Sequence, residues 1–402
     1  MSFLSARVAR ARLTASAAAT QRVRELRAAG VDIVALTQGE PDFNTPDHII
    51  EAAYRAMHAG QTHYTPVDGT PELKAAIVEK FRRENGIECR PENVSVGAGG
   101  KQVLFNALMA TLDPGDEVLI PAPSWIAYAD IAQFAEGVPI ILPTRPEDGF
   151  KLRAEDLERA ITPRTKWLML NSPSNPTGTV YSEAEYRDLA VVLERHPGVW
   201  IISDEMYEHI RYDGVSCVSF VAVAPQLAAR TLTVNGLSKS FAMTGWRLGY
   251  ACGAPELIAA MRRMQGQSTL NPSSVSQAAG VAALTGPMEI VEKRCAEFQS
   301  RRDFIVPRLS AIRGLRCFPP QGAFYVYVSC EGWLGRRTPE GRVLESDADV
   351  SDYLLSQGIA IANGQGYGLS PYFRVSFASA LGNLEEACRR IEAAAERIMS
   401  TA

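Results

Sequence analysis

From about residue 90 to residue 285, short apolar runs alternate with stretches whose apolar residues recur at helical spacing. Val94-Ser95-Val96 reads as a strand, followed by a glycine turn and a helix over 101–112. Glu117 to Ile120 reads as the next strand, then Pro121-Ala122-Pro123 and a helix near 125–135. Val138 to Leu142 follows. Trp167 to Leu170 is a short apolar strand ending at Asn171, and Val199 to Ser203 ends at Asp204. Thr231 to Val234 and Leu248 to Cys252 complete the series. Short strands interleaved with helices predict an α/β fold, with a mainly parallel sheet covered on both faces.

After about residue 286 the pattern changes. Residues 288–312 carry one long helical pattern, and strand signals return at 323–328, 359–362 and 373–377, with helices over 347–357 and 383–399. This predicts a smaller α+β unit. Residues 331–345, rich in Gly, Arg and Glu, read as a surface loop. Near the other end, Gln21 to Ala29 reads as a helix running into a first strand. A chain of 402 residues exceeds one small core. The expected organisation is an N-terminal arm, 1–45, belonging to the small domain; a large domain, 46–285; and a small C-terminal domain, 286–402.

Composition narrows the function classes. The chain is 46% hydrophobic and 21% charged, with net charge -4, so no basic field favours nucleic acid. Seven cysteines stand singly at 89, 217, 252, 295, 317, 330 and 388. An odd count without a C-x-x-C pair argues against a disulfide framework and a zinc site, and suits a reducing compartment. The five histidines include no H-x-x-x-H pair, so no metal centre is expected. No apolar run has the length of a membrane span. Arg7, Arg10, Arg12, Arg22 and Arg24 precede the first acid, Glu25, a composition shared with organelle transit peptides. The helix that runs on into the first strand favours a mature arm instead, and a cytoplasmic location is expected.

In open α/β sheets, ligands bind beyond the carboxyl ends of the strands. Unusual polar residues sit at those ends here. Gly97-Ala98-Gly99-Gly100-Lys101 joins a strand to a helix, and its amides suit an anion such as phosphate. It lacks the P-loop spacing. Asn171-Ser172-Pro173-Ser174-Asn175-Pro176-Thr177-Gly178 sets a constrained backbone right after a strand, which would hold the Asn175 amide in place. Asp204 and Tyr207 follow another strand; alone, they read better as a helix N-cap and a core tyrosine than as partners of a ring nitrogen and ring oxygen. Lys239, in Ser238-Lys239-Ser240, sits just past a buried strand, where desolvation favours the nucleophilic free amine. Alone, it reads as a surface lysine. Together, a lysine for a Schiff base, an acid for a ring nitrogen, a phosphate cradle, Trp125 for a ring face and arginines for carboxylates are the equipment of pyridoxal-phosphate chemistry.

On these motifs the chain resembles the class I aminotransferases of pyridoxal-phosphate fold type I, in their prokaryotic aspartate and aspartate/prephenate branch. The resemblance runs from about Leu4 to the last helix. It rests on Gly39-Glu40-Pro41-Asp42-Phe43, Tyr64 to Gly69, Gly99-Gly100-Lys101, Asn171 to Gly178, Ser203 to Tyr207, Ser238-Lys239, Arg247 and Arg374. It implies pyridoxal 5'-phosphate bound as a Schiff base to Lys239, which also shuttles the Cα proton. Asp204 would pair with the ring nitrogen, Tyr207 and Asn175 with the ring hydroxyl, and Trp125 with the ring face. Gly99, Gly100, Lys101, Ser238 and Arg247 would surround the phosphate. Tyr64 would reach the phosphate of a neighbouring subunit, which implies a homodimer. Arg374, with the Gly39 amide, would clamp the substrate α-carboxylate.

For the second carboxylate the resemblance implies Lys101, with Arg12 marking activity on prephenate. Gln265 to Pro272 lacks the arginine that other relatives use. Three departures surround the substrate: Leu13-Thr14-Ala15-Ser16 in the arm, Gln38 before Gly39, and the loop 363–368. The expected reaction is ping-pong transfer from L-aspartate to 2-oxoglutarate, with amination of prephenate as an addition. An aromatic or alanine-type aminotransferase, or a carbon–sulfur β-lyase, would use the same fold. A non-catalytic protein keeping the fold fits poorly with an intact set of Lys239, Asp204, Tyr207 and Arg374.

Overall fold

The computed structural model describes residues 3–5, 8 and 15–400, with residues 15–20 described by backbone alone. Its main sheet has seven strands, in the spatial order Val94–Gly97, Gly249–Cys252, Thr231–Gly236, Trp200–Asp204, Thr165–Asn171, Glu117–Ala122 and Val138–Pro143. All neighbours pair in parallel except Gly249–Cys252, which runs antiparallel to the strands on both sides. The central strands are buried along almost their whole length. That explains why they read as continuous apolar runs rather than alternating ones.

Every strand expected between 94 and 252 is present, within a few residues of its expected ends. Helices beyond those expected also form, and local chemistry shows how they start and stop. Pro71–Asn85 starts with Thr70 accepting from the Leu73 amide, has Pro71 in its first turn, and stops at Gly86 with φ 63°. Glu183–Arg195 opens on a capping box between Ser182 and Glu185.

The remaining strands form a four-stranded antiparallel sheet, Ala362–Asn363, Tyr372–Ser376, Tyr325–Ser329 and Arg316–Phe318, and a two-stranded pair. In that pair, Val34–Ala35 from the arm runs parallel to Ile359–Ala360. The expected strand at 359–362 is thus split between two sheets. The 331–345 segment is not a plain surface loop: Trp333 and Leu344 are fully buried in the core with the long helix Glu289–Ala311. The Trp333 indole donates to the Arg313 carbonyl. A Gly- and Arg-rich composition hid two core anchors.

Candidate active site

The carboxyl ends of the parallel strands open onto a cavity of about 560 Å³. Gly39, Gly100, Lys101, Trp125, Asn175 and Asp204 line it, as do Tyr207, Ser238, Lys239, Arg247 and Arg374. Residues spread over more than three hundred positions of sequence therefore meet at one place.

Lys239 lies in a turn just after the strand Thr231–Gly236. Its Nζ donates to the Gly39 carbonyl at 2.6 Å. Burial pushes its pKa down to about 8, partly offset by the charge of Glu40. Asp204 is almost fully buried. No helix follows it, so it is not an N-cap; its Oδ1 accepts from the Met206 amide at 3.1 Å within a turn. Its Oδ2 accepts from the Tyr128 hydroxyl at 2.7 Å. Burial raises its pKa, and the Tyr128 hydrogen bond opposes that rise. The Tyr207 hydroxyl shares a 2.9 Å hydrogen bond with the Tyr325 hydroxyl.

The glycine turn is shaped by contact. Gly99 has φ 88°, and a Cβ there would come within 2.4 Å of an Arg247 guanidinium nitrogen. A Cβ on Gly100 would lie 2.6 Å from the Met206 methyl. Gly249 serves the same contact from below: its Cβ would meet the Gly100 nitrogen at 2.2 Å. Gly99 is the N-cap of helix Gly100–Thr111, so unpaired first-turn amides face the cavity beside Arg247. Arg247 donates to the Thr244 and Ala98 carbonyls at 2.9 and 3.2 Å. Lys101 Nζ stands 5.1 Å from the centroid of the Trp125 ring, and burial lowers its pKa.

Arg374 is only 3% exposed, which rules out the surface ion pair that the residue alone would suggest. It donates to Asn175 Oδ1 at 3.0 Å and to the Thr37 carbonyl at 2.6 Å. Its Nε has no partner among the described residues, and no carboxylate pairs with it there. Its guanidinium carbon lies 4.3 Å from the Tyr325 ring centroid and 5.2 Å from that of Tyr367. A buried cation held only by neutral groups is costly unless an anion arrives.

Two expected residues stand apart. Tyr64 is 88% exposed and lines no part of the cavity. Arg12 lies outside the described residues, as do Leu13 and Thr14 of the arm. Of the departures, Gln38 lines an adjoining cavity that also touches Lys239 and Arg247, and Tyr367 of the loop 363–368 lines the main one. Sequence reasoning missed Tyr128 and Tyr325, which hold Asp204 and Tyr207, and Gln21 and Arg24 of the arm helix, which line the cavity. Tyr128, three residues after Trp125 near the start of the next helix, could have been found by helical spacing.

Known proteins share this sequence pattern and fold. The family model for aminotransferases of class I and II matches residues 31–391. The aspartate aminotransferase of Rhizobium meliloti (strain 1021) is 52% identical over 94% of this chain and 92% of its own length. The aspartate/prephenate aminotransferase of Cereibacter sphaeroides is 51% identical over 98% of both chains. The crystal structure of the Rhizobium meliloti aspartate aminotransferase superimposes with TM-score 0.96 at 49% identity, over 99% of this chain and 100% of that one. The Thermus thermophilus aspartate aminotransferase with maleate gives 0.92 at 42% identity, over 98% of this chain and 100% of that one. With this cavity at the strand ends and this match over nearly its whole length, the chain belongs to the class I and II aminotransferases.

Proposed function

We propose that the protein transfers the amino group of L-aspartate to 2-oxoglutarate in a ping-pong cycle, and that it also aminates prephenate to arogenate. The observation that carries this reading is a pair of cations on one cavity: Arg374, buried without a carboxylate partner among the described residues, and Lys101 beside Trp125. A dicarboxylate satisfies both. The names of the Rhizobium and Cereibacter relatives support the aspartate and prephenate assignments, and maleate, in the Thermus structure, is itself a dicarboxylate.

Class I and II aminotransferases are pyridoxal-phosphate enzymes. The residues here fit that group. A Cβ on Gly99 would sit at φ 88° against the Arg247 guanidinium, and Arg247 stands beside the amides of a helix start, as a phosphate requires. Asp204 is a buried carboxylate that a cationic ring nitrogen would stabilise. When bound, the cofactor supplies an aldehyde carbon and a protonated ring that accepts electrons from the substrate Cα.

In this reading Lys239 anchors the cofactor and moves the proton at the substrate Cα. A pKa near 8 leaves a usable share of free amine at neutral pH. Asp204 keeps the ring nitrogen protonated, and Tyr128 orients Asp204. Tyr207 and Asn175 contact the ring hydroxyl, and Trp125 covers the ring face. Ser238, Arg247 and the amides of Gly99, Gly100 and Lys101 hold the phosphate. Arg374 and the Gly39 amide orient the α-carboxylate, while Lys101 and Arg12 receive the second carboxylate. The exposed Tyr64 reaches the phosphate of a second copy, in a homodimer with shared sites. The pairing of Val34–Ala35 with Ile359–Ala360 supports placing residues 1–45 with 286–402, and 46–285 as the large domain. Seven free thiols are in keeping with a cytoplasmic protein.

The test is a half-reaction on purified protein loaded with pyridoxal phosphate. Aspartate alone should shift the absorption band, and 2-oxoglutarate or prephenate should return it. A band that ignores aspartate and responds to phenylalanine or alanine would sink the substrate assignment.

A further inference from the structure

The turn 204–210 that follows the strand Trp200–Asp204 has two faces. Asp204, Met206 and Tyr207 line the cavity. Glu205, Glu208 and His209 point the other way, into a buried polar cluster that the proposed chemistry does not use. At its centre is Lys80, on helix Pro71–Asn85 and only 1% exposed. A buried lysine needs partners. Its Nζ contacts Glu208, donates to Asn85 Oδ1 at 2.6 Å, and lies 3.7 Å from Glu84. The carboxylates of Glu84 and Glu208, with His209, have the spacing of a cation site, and the Lys80 ammonium already serves as its cation.

Asn85 ties the cluster to the turn twice. Its Nδ2 donates to Glu208 Oε2 at 2.6 Å and to Glu205 Oε2 at 3.2 Å. The other oxygen of Glu205 accepts from Ser203 and Ser219 hydroxyls at 2.8 Å each and from the Phe220 amide at 3.3 Å. Glu208 also accepts from Asn235 at 2.7 Å. His209 bonds Ser240, next to Lys239, at 2.9 Å, and Glu84 at 3.0 Å. The cluster therefore clamps both the turn bearing Asp204 and Tyr207 and the segment bearing Lys239. Burial disfavours a charge on either glutamate. Next to Lys80 the Glu208 carboxyl nonetheless stays below its ordinary range, whereas Glu205, with no cation at hydrogen-bond distance, is pushed up to about 7. Asn85 bridges these two unlike neighbours, three positions apart on a single turn.

We propose that Lys80 and Asn85 are positioning residues that act through Glu205 and Glu208 to hold Asp204, Tyr207 and Lys239 in register around the cofactor site. This rests on the assignment of those three residues above. A buried clamp of this kind works by removing alternatives: each side chain that leaves its place strands a donor or acceptor away from water.

The test compares wild type with Asn85→Ala, which leaves the Lys80–Glu208 pair intact and removes the bridge. Ile77→Val, on the same helix but in an apolar cluster, is the control for plain loss of stability. Two measurements are made: amide hydrogen exchange of the peptide 204–210 without cofactor, and the dissociation constant of pyridoxal phosphate. Asn85→Ala should speed exchange in that peptide and weaken cofactor binding by about tenfold, equivalent to roughly 1.4 kcal/mol, while Ile77→Val changes neither beyond about twofold. Wild-type exchange and affinity in Asn85→Ala overturn the proposal, whatever the melting temperature. If Asn85→Ala does not fold, the charge-neutral Lys80→Met/Glu208→Gln variant is read the same way. The exchange measurement needs no cofactor, so it decides the clamp even if wild type fails to bind pyridoxal phosphate and the functional assignment falls.

Discussion

Arg374 donates to Asn175 Oδ1 at 3.0 Å, joining residues 199 apart in the chain. The bond connects the antiparallel sheet Tyr372–Ser376 belongs to with the Pro-rich turn at the end of Thr165–Asn171. The Nε of this buried guanidinium has no partner among the described residues. In the proposed function a ligand carboxylate is its partner. Arg374→Ala should lower kcat/KM for aspartate by about 10²- to 10³-fold, roughly 3–4 kcal/mol of lost transition-state binding. Arg374→Lys should recover only part of it, because the ammonium lacks the planar fork. Steady-state kinetics with both variants decide this.

Lys239 should behave as an unusually acidic lysine. Its pKa is depressed to about 8, so the free amine fraction rises as pH climbs through 8 and not through the ordinary lysine range near 10.4. In protein stripped of cofactor, labelling of Lys239 by an amine-reactive reagent, followed by peptide mass spectrometry, should plateau above pH about 8. A rate still climbing at pH 10 would contradict the desolvated setting. Lys239→Ala should abolish transamination.

Tyr128→Phe removes the hydroxyl that donates to Asp204 Oδ2. Burial already raises the Asp204 pKa, and this hydrogen bond is the largest of the interactions that restrain it, ahead of the Met206 amide and Lys239. Without it the carboxyl takes up its proton sooner as pH falls. The acid limb of the kcat/KM profile should therefore move to higher pH, with the alkaline limb in place. An acid limb that stays put would show that Asp204 ionisation does not control the reaction.

Gly99→Ala places a methyl against the Arg247 guanidinium and forces a non-glycine residue to φ 88°. The strain is about 1–3 kcal/mol. Cofactor affinity should fall by about tenfold or more, measured by equilibrium titration of the stripped protein, while KM for aspartate in the loaded enzyme changes little.

Lys101→Ala should alter preference more than rate. Loss of one charge-assisted contact, roughly 1.5–3 kcal/mol, predicts that the aspartate-to-alanine ratio of kcat/KM drops about 10- to 100-fold. Competition between the two donors measures the ratio directly, and an unchanged ratio would move second-carboxylate recognition to the arm.

Much of the site is legible in sequence because its residues sit at strand ends. A buried parallel strand announces itself as a local apolar run, and the polar residue that ends it is visible: Asn171, Asp204 and the Gly97–Gly100 turn were found this way. Lys239 was placed by the strand before it, but only the motifs around it distinguished it from a surface lysine. By contrast, Trp333 and Leu344 lie in a segment whose composition reads as loop, because two buried side chains do not make a periodic pattern.

The sequence by itself determined the order of the main strands and the residues that close each central one, since these follow from patterns within a dozen residues of one another, and the motifs taken together along the chain gave the reaction class. The tertiary structure decided which of those residues are neighbours. It paired Asp204 with Tyr128, Tyr207 with Tyr325, and Glu205 and Glu208 with Asn85. It also set the environment of a charge, turning Arg374 from a residue with an ordinary surface reading into a buried cation with no carboxylate partner among the described residues. Burial and hydrogen-bond partnership are properties of packing between distant segments. No local pattern encodes them, and they are what make these groups reactive.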